Sequence, residues 1–332
     1  MTNNSLFDNE LQKKQHDSLV QAPSELDIQK EQKKQKIFKI VRNIFVYIFL
    51  TIVAIFAFLP FYWMLISSFK TEIEYRTSVP PTFFPHNFIF KNYPVVLSQA
   101  SMGENNFWGI LVNTLIVGLV STGLGVAVTI ITAYAFARME FKGKNILFAL
   151  MLGTMMIPGE MFTITNYLTV NKFGWPDTYT VMIIPFLVST YYIFLLRNNF
   201  KQIPNSLYQA AKVDGLSDMG YLMKVMVPLT APTLISITLL KFIGTWNSYI
   251  WPRLINKPEM QLITNWVTNG FHDTVEAAVN MEDGVLKYGT SMSLTSMKMA
   301  AVCMVSLPLF LLFVFFRKYI MHGVSKSGTK GW

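Results

Sequence analysis

Cysteine is almost missing from this chain: there is one in 332 residues, Cys303, and it sits inside an apolar run. Neither a disulfide framework nor a cysteine metal cluster can be built from it, and a buried packing role is expected. Histidine is scarce too. His16, His86, His272 and His322 stand far apart with no metal or proteolytic spacing, so no metal site is expected. Charged residues are only 14% of the chain, against roughly 25% in soluble domains. Paired catalytic carboxylates and nucleophile–base groupings are lacking, so the chain reads as a non-enzyme without a cofactor. Gly143-Lys144 is not a phosphate loop, because the glycine required five residues earlier is Arg138.

Apolar residues, by contrast, make up 52% of the chain. They gather into runs of about 20, the length that crosses a bilayer. Six spans are predicted, near Ile44–Phe69, Ile110–Phe136, Ile146–Asn166, Tyr179–Leu196, Val225–Ile250 and Met299–Tyr319. The predicted class is therefore an all-α integral membrane protein. The net charge of +9 raises the question of a nucleic-acid partner. With the N-terminus inside, however, the cytoplasmic segments hold more than twice as many Lys and Arg as the outer ones. That bias sets orientation, leaves both termini cytoplasmic and implies no nucleic acid.

Four segments follow: a polar basic tail (1–42), a first span with its outer loop (43–106), a membrane core (107–320) and a short C-terminal tail (321–332). Met1–Lys39 has no apolar core and is expected to be a mobile, retained tail. Lys30, Lys33, Lys34, Lys36, Lys39 and Arg42 crowd its end. Topological anchoring is their first reading, and contact with anionic lipid headgroups the second.

Within the core, Ser121, Gly125, Thr129, Ala133 and Ala137 recur every four residues. Such a stripe of small side chains permits close approach of another helix. Ile157-Pro158-Gly159-Glu160 predicts a break in the third span. Lys241 falls near mid-membrane, where a charge faces a bundle interior or a watery cavity. It either attracts an anionic group on a passing substrate or makes a structural pair with Glu160 or with backbone carbonyls. Trp246, Asn247 and Tyr249 follow, as sugar-contacting groups or as interfacial belt and packing residues.

The most informative stretch is Asn205–Pro228, a polar island between two apolar runs. Pro204 breaks the chain. Ser206 is expected to cap a helix, with Gln209 completing a capping box. Gly215 closes that helix in a left-handed conformation, and Ser217 or Asp218 caps the next, which runs to Pro228. Taken alone, the spacing also fits an ordinary helix-turn-helix between two spans.

Gln209-Ala210-Ala211, three residues, Gly215, nine residues and Val225-Met226-Val227-Pro228 resemble the EAA loop of ABC importer permeases. Gln209 stands where that family has Glu, Val225 where it has Ile and Val227 where it has Leu. Other segments are similar to the maltose-type second permease of carbohydrate importers. These are Ser68-Phe69-Lys70-Thr71 with Lys91-Asn92-Tyr93, Ala133–Arg138, Gly244-Thr245-Trp246-Asn247-Ser248-Tyr249-Ile250-Trp251-Pro252, and the ending through Gly323 and Lys330-Gly331. The resemblance runs from the first span to the C-terminus.

What it implies is a type I importer fold with cytoplasmic coupling helices, in the bacterial plasma membrane. The implied partners are a second permease subunit, two ATP-binding subunits, an extracytoplasmic sugar-binding protein and an oligosaccharide. Gln209, Ala210, Ala211, Asp214 and Gly215 would meet the ATPase. Lys241 departs from the family's small or hydroxyl residue and hints at an acidic, uronate-containing cargo. The rival reading is a self-sufficient secondary carrier. It lacks support, since charge in the spans is confined to Lys241 and Glu160 and no repeated halves are visible.

Overall fold

A computed structural model of the protein describes residues 25–70, 74, 78, 80–99, 107–270 and 294–325. His16, His272 and the Gly328–Gly331 ending lie outside them. The described residues form helices and turns, with no strand among them. The chain divides into two compact units, Met1–Trp63 and Met64–Trp332.

Helix α1, Glu25–Ser67, begins well inside the stretch expected to be a mobile tail. The physical reason is composition. Glu25–Lys36 is rich in Glu, Gln and Lys, all good helix formers, and contains neither Gly nor Pro, so the helix of the first span propagates backward through it. In the first unit the apolar side chains, Phe45, Tyr47 and Phe56 among them, are exposed. A helix apolar all round and uncovered is suited to lipid rather than water.

In the second unit, helix α2 (Asn92–Gln99) is tied to the end of α1. Asn92 Nδ2 donates to Ser68 O at 2.7 Å, and the Ser68 and Tyr93 hydroxyls lie 2.8 Å apart. Two short motifs that are far apart in sequence thus meet in one contact.

Helix α3, Phe107–Arg138, is the spine of this unit. Three apolar cores sit along it. Phe107 and Ile110 pack with Trp246, Trp266 and Met297. Val117 packs with Val181, Trp251 and Leu262. Ala133 and Tyr134 pack with Ile193, Phe200, Ala211 and Tyr221. The small-residue stripe lies on this packed face: Ser121, Gly125, Thr129 and Ala133 are buried, and Ala137 is half-buried.

Three unbroken helices are long and apolar enough to cross a bilayer: Gln32–Ser67 of α1, α3, and Thr295–Lys318 of the last helix, α12 (Leu294–Ser325). The other expected spans are broken. Helix α4 (Lys144–Thr154) turns through 87° into Gly159–Lys172, whose α-helical part, Thr163–Lys172, is α5. Helix α6 (Tyr179–Ile183) continues as a tight turn to Phe186 and bends by 45° into α7 (Thr190–Gln202). The segment Asp218–Leu229 turns through 82° into α10 (Ala231–Trp246). Proline sits at or beside each break (Pro158, Pro185, and Pro228 with Pro232), where the missing N–H and the ring stop a helix from continuing. The fifth expected span, Val225–Ile250, is therefore one continuous helix only over Ala231–Trp246.

Candidate functional site

The polar island folds as an elbow. Helix α8 spans Asn205–Val213 and α9 spans Asp218–Tyr221. The expected capping box at Ser206 and Gln209 does not form. Pro204 occupies the cap in an extended conformation, so Ser206 already lies inside the helix, and no side chain caps it. The turn is as expected. Gly215 has φ +75°, Leu216 N–H donates to Ala211 O at 2.9 Å, and Gly215 N–H donates to Lys212 O at 3.1 Å. Those two bonds satisfy the last carbonyls of α8 in a Schellman turn, which requires a left-handed residue. Ser217 rather than Asp218 caps α9, its hydroxyl accepting from Gly220 N–H at 3.1 Å.

Sequence reasoning missed the side chains that hold the elbow rigid. Asp218, freed from capping, accepts from Lys212 Nζ at 2.9 Å and from the Tyr208 hydroxyl at 2.9 Å. Tyr134 of α3 reaches the same carboxylate at 3.5 Å. The hydrogen bond from Lys212, then that from Tyr208, holds the Asp218 carboxyl below its ordinary range. The same bond to Asp218 raises Lys212. Beyond Tyr221 the helix widens into a π-turn over Leu222–Met226, with Val227 N–H donating to Leu222 O. The wider turn accommodates Pro228, whose ring would otherwise press on the preceding turn. Of the five residues read as coupling positions, Ala211 is buried beneath the elbow, while Gln209, Ala210, Asp214 and Gly215 face out. Val213 beside them is 88% exposed.

Two arginines join α3 to α7, and one of them, Arg138, also reaches the elbow. Arg197 of α7 donates from Nε to Phe136 O near the end of α3, at 3.2 Å, and its guanidinium lies 3.7 Å from the centre of the Phe148 ring. Arg138, at the end of α3, returns the contact to α7, donating to Phe200 O at 3.2 Å and to Ile203 O at 2.5 Å. It also reaches Asn205 Oδ1, at the start of α8, at 3.4 Å. Each helix thus has its C-terminal carbonyls met by a cation from the other, the favourable end of the helix dipole for a positive charge.

Further along α3 lies a cleft of about 180 Å³. Lys241, on α10, lines it and is 7% exposed. Its Nζ donates to Phe186 O at 2.7 Å. That carbonyl belongs to the break between α6 and α7, where helical partners run out. Of the two structural pairings expected for Lys241, the backbone carbonyl is the one formed; Glu160 is exposed elsewhere. The lysine fits because residue 125 is glycine: a Cβ there would fall 2.1 Å from Lys241 Cε and 2.6 Å from its Nζ.

Of the two tryptophans in that segment, Trp251 and not Trp246 lines the cleft. Trp251 Nε1 donates to Val181 O at 3.1 Å, and its ring meets that of Phe186 edge-on. Trp246 is buried in the first core against Phe242, and Asn247 and Tyr249 are not among the lining residues. The chain turns between α10 and helix α11 (Ile250–Ile255), so Trp246 and Trp251 end on different surfaces. Spacing within the motif carried no signal for that turn.

The molecule is an all-α integral membrane protein with broken intramembrane helices and a clamped polar elbow. Residues 125–326 match the family described as the binding-protein-dependent transport system inner membrane component, and the chain belongs to that family. It is 25% identical, over 84% of its length and 93% of the other, to the arabinooligosaccharides transport system permease protein AraQ of Halalkalibacterium halodurans. It is 28% identical to the trehalose/maltose transport system permease protein MalG of Thermococcus litoralis, over 88% of this chain and 99% of that one. The polygalacturonan/rhamnogalacturonan transport system permease protein YtcP of Bacillus subtilis is 27% identical, over 87% and 98%. A crystal structure of a bacterial ABC transporter involved in import of the acidic polysaccharide alginate contains a chain of the same fold. The TM-score is 0.70 at 25% identity, covering 86% of this chain and 97% of that one. The fold is that of a type I ABC importer permease.

Proposed function

We propose that this chain is one of two membrane-spanning subunits of a bacterial carbohydrate importer, with six spans and both termini in the cytoplasm. A separate pair of ATP-binding subunits supplies the energy, and an extracytoplasmic binding protein delivers a sugar or oligosaccharide to the outer face. The observation that carries this reading is the elbow. A short helix closed at Gly215, clamped from behind by Asp218, Lys212, Tyr208 and Arg138, leaves Gln209, Ala210, Val213 and Asp214 facing out. A rigid projection of that kind can carry a push from another subunit into α3, α7 and α10. Alternating access then needs only a bundle with two arrangements that nucleotide and binding protein bias differently.

The cargo is an oligosaccharide that carries carboxylates. Buried Lys241 beside a cleft supports that assignment, as do the relatives named for polygalacturonan and alginate transport. Trp246 serves packing in this scheme, and direct contact with the cargo passes to the residues of the cleft.

The test is crosslinking in the intact assembly. Ala210→Cys and Lys212→Cys are expected to link to a nucleotide-hydrolysing subunit, in a yield that changes when ATP is bound. If neither position ever reaches such a subunit, the energy does not enter here.

A further inference from the structure

The Lys241 cleft holds a cation without its anion. An ammonium has three donors, and Phe186 O meets one of those of Lys241. Among the described residues no ion pair includes Lys241. A buried charge in that state is costly, and its usual resolution is a partner of opposite sign.

A second, independent group belongs to the wall of the same space. Ser121 Oγ is buried, lines the cleft and has no hydrogen-bond partner among the described residues. Its neighbours on α3 show that a local partner was available. Thr114 Oγ1 bonds Ile110 O at 2.8 Å and Thr129 Oγ1 bonds Gly125 O at 2.7 Å, each four residues back. Ser121 does not make the equivalent bond, so its hydroxyl remains available to whatever occupies the cleft. The edge-on rings of Phe186 and Trp251 add an apolar wall, the surface on which a sugar face packs. The volume equals that of roughly six waters, enough for a carboxylate and part of one sugar ring.

We propose that this cleft is a carboxylate subsite for a single uronate unit, with Lys241 Nζ and Ser121 Oγ as its ligands. Phe186 O holds the ammonium in place while its other two donors turn to the carboxylate. Gly125 is the specificity-determining position, because any side chain there displaces the lysine. The inference rests on the reading of the chain as a carbohydrate-importer subunit and adds to it the chemistry of one binding position.

The experiment uses the complete transporter in proteoliposomes with its binding protein. It measures ATP-driven uptake of labelled trigalacturonate against its uncharged methyl ester. Because the lost hydrogen bond is to a charged group, Lys241→Met should lower the acid-to-ester uptake ratio about tenfold or more. Gly125→Ala should lower it in the same sense. Ser121→Ala changes volume least and should lower it about threefold to tenfold, the range for one hydrogen bond. Hydrolysis of ATP stimulated by loaded binding protein is followed in parallel, to separate the subsite from docking. An unchanged ratio in Lys241→Met and Ser121→Ala, or an equal loss for acid and ester, overturns the subsite while leaving the importer reading intact. Absence of ATP-driven uptake of either compound by the unmodified transporter overturns the carboxylate-bearing cargo and the subsite with it, whereas the importer reading falls only if the crosslinks from Ala210 and Lys212 never reach a nucleotide-hydrolysing subunit.

Discussion

Two lysines, one in the elbow and one in the cleft, are held in opposite ways. Lys212 is 41% exposed and meets an exposed carboxylate, with water free to solvate both. Lys241 is buried, and among the described residues its ammonium meets one backbone carbonyl. In high dielectric, an ion pair is worth little energy and serves mainly to fix geometry. In low dielectric, the same charge interacts far more strongly with whatever enters beside it. The elbow therefore uses its charges for shape, whereas the proposed subsite would use the charge of Lys241 for a ligand.

The sharpest way to test the elbow is to break its turn. Gly215→Val forces a β-branched residue into a left-handed conformation that costs about 1–2 kcal/mol even without branching. ATP-driven uptake should fall roughly tenfold or more, since 1.4 kcal/mol is a factor of ten, while uncoupled ATP hydrolysis persists. Normal uptake with normally coupled hydrolysis in that variant removes the lever role.

A smaller effect is expected from the arginines between elbow and spans. Arg138→Gln and Arg197→Gln each leave helix-end carbonyls without a charged donor, at about 1–3 kcal/mol. Thermal unfolding of the purified complex should show both losses. Because α3 and α7 share the contact, the double variant should lose less than the sum. Strict additivity would show that the two guanidiniums act apart.

The smallest effect belongs to Lys212 and Asp218, and it sharpens the contrast with Lys241. The folded-state pKa of Asp218 is depressed, so its contribution is complete above the ordinary carboxylate value and is lost as pH falls through the lower, folded one. That of Lys212 is raised, so its contribution is complete below the ordinary amine value and is lost as pH rises through the higher, folded one. The pair should therefore be insensitive to pH across the neutral range. Lys212→Ala should weaken coupling slightly at low salt, and the difference should vanish near 1 M salt, where the screening length is about 3 Å. A Lys212→Ala defect as large as that of Lys241→Met would erase the distinction between the two sites.

How far the sequence reached follows from which forces were local. Gly215 was legible because a left-handed turn between two short helices needs glycine whatever packs around it. The stripe from Ser121 to Ala133 was legible because helical periodicity alone places those residues on one face. The cap of α8 was misjudged by two positions, since Pro204 can take the extended cap conformation itself and Ser206 was not needed there. The helical start at Glu25 was missed because polarity was read as disorder while propensity pointed the other way. Trp246 and Trp251 could not be sorted, because the turn between them depends on what α11 packs against. The clamp on Asp218 joins three elements, and no spacing rule links Tyr134, Tyr208 and Lys212.

By itself the sequence determined the medium, the helical class, the break at Pro158 and the left-handed turn of the elbow. Each of these follows from hydropathy or from backbone conformational limits within a few residues. Tertiary structure alone decided which carbonyl Lys241 would meet, that Gly125 would make room for it, that Ser121 would be left without a partner, and which tryptophan would face the cleft. Those outcomes depend on the angle and register at which separate helices cross, quantities set by the packing of all of them together rather than by any one stretch of chain.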